Sequence, residues 1–274
     1  MEFSVLMSVY GKDNASFFAD ALRSVTIDQT VKPTQVVVVE DGPVDSIIDQ
    51  IIDTLANQCP QIEFTVLPKE KNEGLAAALN DGIELCKYDW IARMDSDDIS
   101  VSDRFEKQIE YINAHEGVSV VGGAIAEFRN IPGDIKSERY VGLTRDAIKK
   151  MAQKRTPMNH VSVMYKRDTI ISVGGYCVDF GKLEDYKLWV DLLSKDADMA
   201  NLGIVLVNVR IGNGFISRRS NKREIHDWDM LQEYLVNNNM INTFTKFKNR
   251  VYIRCFIYMP GWMKTLSYKL LFRK

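Results

Sequence analysis

Ile91-Ala92-Arg93-Met94-Asp95-Ser96-Asp97-Asp98-Ile99 decides how the rest of the chain is read. Trp90 and Ile91 open an apolar, strand-like run, and three carboxylates follow within four positions at its C-terminal end. Carboxylates packed this closely repel one another. In an extended segment residues i and i+2 face the same side, about 6–7 Å apart along the chain, so Asp95 and Asp97 are placed to share one hard cation. Mg²⁺ or Mn²⁺ would relieve the repulsion. Magnesium usually takes one or two carboxylates, keeps several waters and binds substrate phosphates, which makes a nucleotide diphosphate the natural third party. The same residues also suit the cap and first turn of a helix, because Asp and Ser favour N-caps and the helix dipole favours negative charge there. On this stretch alone both readings stand.

Upstream, residues 3–10 form a near-continuous apolar strand ended by Gly11, of the kind found in a parallel sheet covered on both faces. A helix is predicted over 15–29, with Phe18, Ala21, Leu22 and Val25 at helical spacing. The run Val36-Val37-Val38-Val39 closes on Glu40-Asp41-Gly42-Pro43, a helix follows over 46–57, and Phe64-Thr65-Val66-Leu67 makes a third strand. After Asn72-Glu73-Gly74 comes a helix over 75–85, and then the acidic stretch. This β-α-β-α-β-α-β order predicts an α/β domain with a mostly parallel, doubly wound sheet flanked by helices. Ligands of such sheets bind beyond the carboxyl ends of the strands. Tyr10-Gly11, Asp41-Gly42, Asn72-Glu73-Gly74 and Asp95-Ser96-Asp97 all fall there. A dinucleotide site would need Gly-x-Gly-x-x-Gly after the first strand, whereas the chain has Val9-Tyr10-Gly11-Lys12-Asp13-Asn14.

Downstream, the pattern predicts a helix over 103–115, a strand over 118–121 followed by Gly122-Gly123, a turn at Ile131-Pro132-Gly133-Asp134, a helix over 145–154 and a strand over 159–165. His160 reads as a satisfied structural histidine rather than a ligand. Gly174-Gly175-Tyr176 reads as a close backbone turn with an aromatic able to face a sugar. Glu184-Asp185-Tyr186-Lys187-Leu188-Trp189 is the second chemical centre: two acids at a helix start, either dipole-favoured caps or a base poised for proton transfer, with Trp189 four residues on along the same face. Arg218-Arg219, after Gly212-Asn213-Gly214, reads either as an exposed basic loop or as a pair closing over a diphosphate.

The chain of 274 residues, 46% hydrophobic, is long enough to bury a large core. Cys59, Cys86, Cys177 and Cys255 form no Cys-x-x-Cys pair, which argues against a zinc site and a disulfide framework and favours reduced surroundings. The N-terminus has no signal-peptide pattern, and no apolar run approaches the roughly 20 residues that span a bilayer. The net charge of −2 conceals an asymmetry: residues 246–274 hold eight bases and no acid, while residues 1–245 carry 27 basic against 37 acidic side chains, a net −10. Phe247, Val251, Tyr252, Phe256, Trp262, Leu266 and Leu270 alternate with those bases, so 224–274 is expected to form C-terminal helices ending in a basic amphipathic tail. Such a tail suits an anionic membrane interface, each base near the surface contributing about 1 kcal/mol; folding back on the body is the other reading. Nothing else suggests a nucleic-acid partner, and oligomeric state is not legible.

Ser4-Val5-Leu6-Met7-Ser8-Val9-Tyr10, Val38-Val39-Glu40-Asp41-Gly42, residues 72–80, Arg93-Met94-Asp95-Ser96-Asp97-Asp98 and residues 184–189 occur in the order found in family 2 glycosyltransferases, which the chain resembles over about residues 3–220. It is especially similar to bacterial amylovoran and O-antigen enzymes. The resemblance implies a single nucleotide-diphospho-sugar transferase domain over 1–223, with 1–100 binding the sugar nucleotide and 101–223 the acceptor, and inverting chemistry. It implies that Tyr10 and Asp41 hold the uracil, that Asn72 and Gly74 shape a turn against the nucleotide, and that Arg93 meets the diphosphate. Asp95 is then near the ribose and, with Asp97, on Mn²⁺ or Mg²⁺, Asp98 being a supporting carboxylate. The same resemblance makes Asp185 the base, places Glu184, Trp189 and Tyr176 on the acceptor side, and gives Arg218 and Arg219 diphosphate contacts. The Gln-x-x-Arg-Trp block of processive synthases is absent, so one sugar per encounter is expected. The implied activity is transfer of a hexose such as galactose or glucose from a UDP-sugar to a polyprenyl-diphosphate-linked acceptor in surface-polysaccharide assembly, at the cytoplasmic face of the bacterial inner membrane. A nucleotidyltransferase on the same sheet, or a silent partner subunit, are the alternatives.

Overall fold

Consecutive β-branched residues give strands buried on both faces, and their alternation shows where the two layers of core lie. The computed structural model describes residues 1–212, 224–260, 263 and 264. In β1 (Ser4–Val9) and β2 (Gln35–Glu40), Val5, Met7, Val9, Val36 and Val38 pack on one side of the sheet with Phe18, Leu22, Ile48, Ile52 and Phe105. Leu6, Val37 and Val39 pack on the other with Leu79, Ile83, Leu188 and Leu192. Burying side chains of this size contributes about 1.5–3 kcal/mol each, so the two-sided strands carry much of the driving force for folding.

The remaining elements are α1 (Ala15–Ser24), α2 (Ser46–Gln58), β3 (Glu63–Pro68), α3 (Leu75–Leu85), β4 (Trp90–Met94), β5 (Ile99–Ser100), α4 (Arg104–Ala114), β6 (Val120–Phe128), β7 (Glu138–Arg139), α5 (Arg145–Met151), β8 (Met164–Lys166), α6 (Arg167–Ser172), α7 (Glu184–Ser194), β9 (Met199–Arg210), α8 (Ile225–Asn237) and α9 (Thr243–Tyr258). The sheet order is β3-β2-β1-β4-β8-β6-β9-β5, with β7 on β6. β3, β2, β1 and β4 are parallel neighbours. β8 runs antiparallel between β4 and β6, and β9 is parallel to β6. Six strands, β1–β4, β6 and β9, therefore run one way and end at one rim.

Three local expectations are corrected. α1 stops at Ser24, because the Ser24 and Thr26 hydroxyls donate to the carbonyls of Ala21 and Leu22, both at 2.7 Å, and compete with the helical ladder. β6 continues through Gly122-Gly123 instead of ending there. A Cβ on Gly123 would sit 2.5 Å from Leu206 Cδ1, so the glycine is required by the close approach of β9 rather than by a turn. The predicted strand over 159–165 is a 3₁₀ turn, His160–Ser162, followed by the short β8. Side chains bend it: Asn159 Nδ2 donates to the Gly123 carbonyl at 2.8 Å and the Ser162 hydroxyl to the Asn159 carbonyl at 2.8 Å.

β4 is clamped from behind by Arg104, which is fully buried. Its Nη2 donates to the carbonyls of Arg93 at 2.8 Å and Val163 at 3.2 Å, and its Nε to Gln108 Oε1 at 3.1 Å. Burial, and then the charge of Arg93, pull its pKa down to about 9.

The C-terminal helices pair as a hairpin. Arg250 Nε and Arg254 Nη2 meet Asp229 at 2.9 and 2.7 Å, and Lys246 meets Glu233 at 2.9 Å. The pair is fixed to α7 through Asp191, which accepts from Tyr234 and Lys187. Among the described residues no helix is long and apolar enough to cross a membrane.

Replacing Arg104 by Met takes the donor from the Arg93 carbonyl and Gln108 Oε1, at roughly 1–3 kcal/mol each, while the Val163 carbonyl keeps the Arg93 N–H at 3.0 Å; removing a buried charge partly offsets the loss. Arg104→Met is expected to lower unfolding stability by about 2 kcal/mol or more. A shift in the urea midpoint measures this, and an unchanged midpoint would refute the clamp.

Candidate functional site

Each element that ends at the rim delivers a polar side chain to it. After β1, half-exposed Tyr10 donates its N–H to Asp13 Oδ2 at 3.2 Å, and the Ser96 hydroxyl donates to the same oxygen at 2.7 Å. Asp13 thereby ties the first loop to the acidic turn. Burial, against these hydrogen bonds and with Asp95 nearby, raises its pKa.

At the end of β2 the carboxylate of Asp41 accepts the N–H groups of Glu73 at 2.8 Å and Gly74 at 2.9 Å, while Asn72 Nδ2 donates to its carbonyl at 3.1 Å. Gly42, at φ 85°, lies so close that an added Cβ would stand 2.6 Å from Asn72 N. Asp41, Asn72 and Gly74 are thus one unit, a turn pinned by a carboxylate. Glu40 beside it is buried with Oε1 unpartnered, and burial followed by Asp49 pushes it up to about 7.

The turn after β4 collects the negative charge. Arg93 is buried and ion-paired with half-exposed Asp95. Asp98 is buried and accepts the Arg210 N–H at 2.8 Å; burial, then Asp95 and Asp97, hold its carboxyl well above the usual range. Arg210 closes the turn from β9. Its Nε donates to the Asp97 carbonyl at 3.0 Å, and its guanidinium lies between the rings of Phe17 and Phe128, 3.9 and 4.5 Å from their centroids. The Asp97 carboxylate opens to solvent at the cleft mouth, where enclosure, then Asp95 and Asp13, push it up to about 6.

The second centre is the N-terminus of α7. Asp185 accepts the Tyr186 N–H at 2.6 Å and the Thr156 hydroxyl at 3.3 Å. Glu184 is buried, Oε2 has no partner, and burial followed by Asp185 pushes it up to about 8. Arg93 and Asp95 also act on the charge of Glu184, so the α7 N-terminus lies within electrostatic reach of the acidic turn. Tyr176 and Trp189 lie behind it. Both rings are buried, His160 Nε2 lies 2.8 Å from Tyr176 Oη, and the His160 ring packs edge-on against Trp189 at 5.9 Å. Neither ring has a face open to a sugar, unlike the sugar-facing aromatic expected at Tyr176, and Trp189 Nε1 is buried with the rings and unpartnered. His160 is a supporting residue, held neutral by burial and by Arg93. Arg218 and Arg219 lie outside the described residues.

The rim therefore carries Tyr10, Asp41, Asn72, Gly74, Arg93, Asp95 and Asp97, and Glu184 and Asp185 stand at the start of α7 within electrostatic reach of Arg93 and Asp95. Sequence reading missed Asp13, signalled only by its place in the first rim loop, and Arg210, whose approach depends on β9 pairing with β6. Among the described residues no three His, Cys, Asp or Glu side chains form a closed metal cage. The crowded carboxylates of Asp13, Asp95 and Asp97, the first and last with raised pKa, fit instead a cation held by one or two carboxylates and completed by phosphate oxygens.

Six strand ends, a carboxylate-pinned turn and an acidic cluster are the arrangement of an α/β domain that binds its ligand beyond the carboxyl ends of its strands. The model of glycosyl transferase family 2 matches residues 4–174, and the chain belongs to that family. An uncharacterized glycosyltransferase of Haemophilus influenzae is 42% identical over 80% of this chain and 79% of its own. The amylovoran biosynthesis glycosyltransferase AmsE of Erwinia amylovora is 37% identical over 79% of both chains. A UDP-Gal:alpha-D-GlcNAc-diphosphoundecaprenol beta-1,3-galactosyltransferase of Escherichia coli is 36% identical over 80% of this chain and 77% of its own. Among solved structures, S. aureus TarS 1-349 with UDP-GlcNAc superposes with a TM-score of 0.67 at 17% identity, over 99% of this chain and 76% of that one. The mannosyltransferase PcManGT of Pyrobaculum calidifontis, with GDP-Man and Mn²⁺, gives 0.62 at 15% identity, over 98% and 76%. These structural likenesses establish the fold.

Glu184 gives a pH prediction. A carboxyl held above its unfolded value keeps its proton in the folded protein where the unfolded chain has lost it, so stability falls as pH rises from about 4.5 to about 8. Glu184→Gln removes that loss: its melting temperature should exceed the parent's by at least about 3 °C at pH 8 and match it near pH 4.5. Equal melting curves at both pH values would rule out a strained Glu184.

Proposed function

We propose that the chain transfers a hexose, galactose or glucose, from a UDP-sugar to a polyprenyl-diphosphate-linked sugar, with inversion and one sugar per encounter. The setting is bacterial surface-polysaccharide assembly, with the enzyme peripheral to the cytoplasmic face of the inner membrane. The observation that carries this reading is the acidic turn after β4, held by Arg93 and Arg210, with the buried Glu184–Asp185 pair within electrostatic reach of it. The galactosyltransferase relative, whose acceptor is a diphosphoundecaprenol-linked sugar, supports the acceptor class.

In this reading residues 1–100 bind the donor and 101–223 the acceptor. Tyr10 stacks on the uracil, Asp41 accepts its imide N–H with a remaining lone pair, and the turn at Asn72–Gly74 approaches the nucleotide. Arg93 neutralises the diphosphate. Asp97 and Asp95 would hold Mn²⁺ or Mg²⁺, which when bound stabilises negative charge on the departing diphosphate. Asp185 takes the proton of the acceptor hydroxyl as that oxygen bonds to the anomeric carbon, from the face opposite the breaking carbon–oxygen bond to the diphosphate. Thr156 and the Tyr186 N–H orient the Asp185 carboxylate. Protonated Glu184 donates a hydrogen bond to a sugar hydroxyl. A nucleotidyltransferase would need a basic, glycine-rich loop after β1, whereas here Asp13 turns that loop toward Ser96.

Asp185→Asn is expected to reduce kcat for transfer by at least roughly 10²-fold, with UDP affinity held within threefold of the parent. Undiminished turnover would exclude Asp185 as the base. Asp97→Ala should weaken UDP binding in Mn²⁺, by calorimetry, at least roughly tenfold more than in chelator. Equal losses in both would assign the acidic turn a structural role.

A further inference from the structure

Helix α9 is amphipathic in the reverse sense to a helix on a protein body. Its polar side chains face inward: Lys246 to Glu233, Arg250 and Arg254 to Asp229, and buried Asn249 between the Gln153 carbonyl at 2.8 Å and Gln232 Oε1 at 2.9 Å. Of its apolar side chains Ile257 is buried and Ile253 and Phe256 are partly covered, but the rest form an exposed row. Phe244, Phe247, Val251, Tyr252 and Tyr258 are 75, 65, 45, 64 and 61% exposed. Lys248 stands among them, 5.8 Å from the Tyr252 ring centroid, and exposed Cys255 continues the row. The spacing 244, 247, 248, 251, 252, 255, 258 keeps one side of a 3.6-residue period, so the stripe runs the length of the helix, about 24 Å.

Size and charge together select the occupant. With aromatic side chains of about 200 Å² each, the exposed part of the stripe is on the order of 600 Å². That falls below the roughly 800 Å² per partner of a standard protein interface, so a second copy is poorly served by this face alone. The helix has no acid, and residues 246–274 carry eight bases against none. Of the three acids of α8, Asp229 and Glu233 pair with the bases of α9, compensate part of that charge and lie on the inner side. An outward face of Phe, Tyr, Val and Lys on a positively charged segment matches the interfacial zone of an anionic bilayer, where aromatic rings sit at headgroup depth and bases meet phosphate.

We propose that the outer face of α9 is the surface by which this protein docks onto an anionic phospholipid membrane. The proposal deepens the peripheral location given above and rests on that reading. It also fixes the height of the active centre. Asn249 bonds to Gln153, and Thr156, three residues on, bonds to Asp185, a stretch of at most about 11 Å. The docking face and the proposed base are thus joined through one short segment.

The test is co-sedimentation of the full-length protein with vesicles of phosphatidylcholine alone and with vesicles that also contain phosphatidylglycerol. The parent is expected to bind the anionic vesicles roughly tenfold or more tightly than the neutral ones. Phe247→Glu combined with Tyr252→Glu should lose that binding by a similar factor, with melting temperature and UDP affinity unchanged, whereas Phe247→Leu with Tyr252→Leu should retain it. Asp185→Asn should bind vesicles like the parent, so vesicle binding is read independently of transfer. Parent-like binding by the glutamate variant, or equal binding to both vesicle types, would overturn the proposal. A concentration-dependent dimer dissociated by the same glutamates would give the stripe to a second copy and overturn it as well.

Discussion

Negative charge gathered above a water-poor sheet is the constraint on which the rest of the molecule depends. Asp13, Asp95, Asp97 and Asp98 lie on one rim with carboxyls shifted upward or crowded by their neighbours. Such an arrangement is unfavourable by itself and persists only where the surrounding structure enforces it. The enforcement is visible. Arg93 pairs with Asp95 from within β4, Arg104 holds β4 by its carbonyls, and Arg210 arrives from β9 to close the turn. The cations are themselves buried or sandwiched between rings, so they stay where the acids need them.

That logic separates what could be read in the sequence from what could not. β1 to β4 and α3 follow one another as local β-α-β units, and chain order there reproduces spatial order closely enough for runs such as Val36–Val39 to reveal it. Rim residues at those strand ends, Tyr10, Asp41 and Asp95 among them, were legible for the same reason. Beyond β4 chain order and spatial order part. β8 enters between β4 and β6 against the sheet direction, and Gly122-Gly123 marks a close strand approach that looks like a turn in one dimension. Arg210 was invisible because its partner Asp98 lies over a hundred positions away. Tyr176 and Trp189 look surface-capable by type, and only packing shows that their rings are enclosed.

The C-terminal helices show a related economy of charge. A basic, aromatic segment is ambiguous by composition, since the same residues serve adhesion to a body or to a surface. Pairing with α8 sorts them, the bases Lys246, Arg250 and Arg254 turning to acids and the rings turning away. The ion pairs are exposed enough to contribute little to stability individually. Their effect is orientational, since they select which side of the helix is outside.

The pinned turn at Asp41 has a different consequence. Both carboxylate oxygens accept backbone N–H groups of Glu73 and Gly74, and the side-chain hydrogen bonds of this unit all lie within residues 41–74. The Glu184–Asp185 pair is supported by a separate set, Thr156 and the start of α7, with His160, Tyr176 and Trp189 behind it. No hydrogen bond among these links the two. Substitutions of polar side chains around Thr156 and the start of α7 can therefore accumulate without breaking the hydrogen bonds of the strand-end turn, provided that the shared apolar core of α7 and β2 is kept. A lineage built on this scaffold can vary the polar partners of one centre while inheriting those of the other.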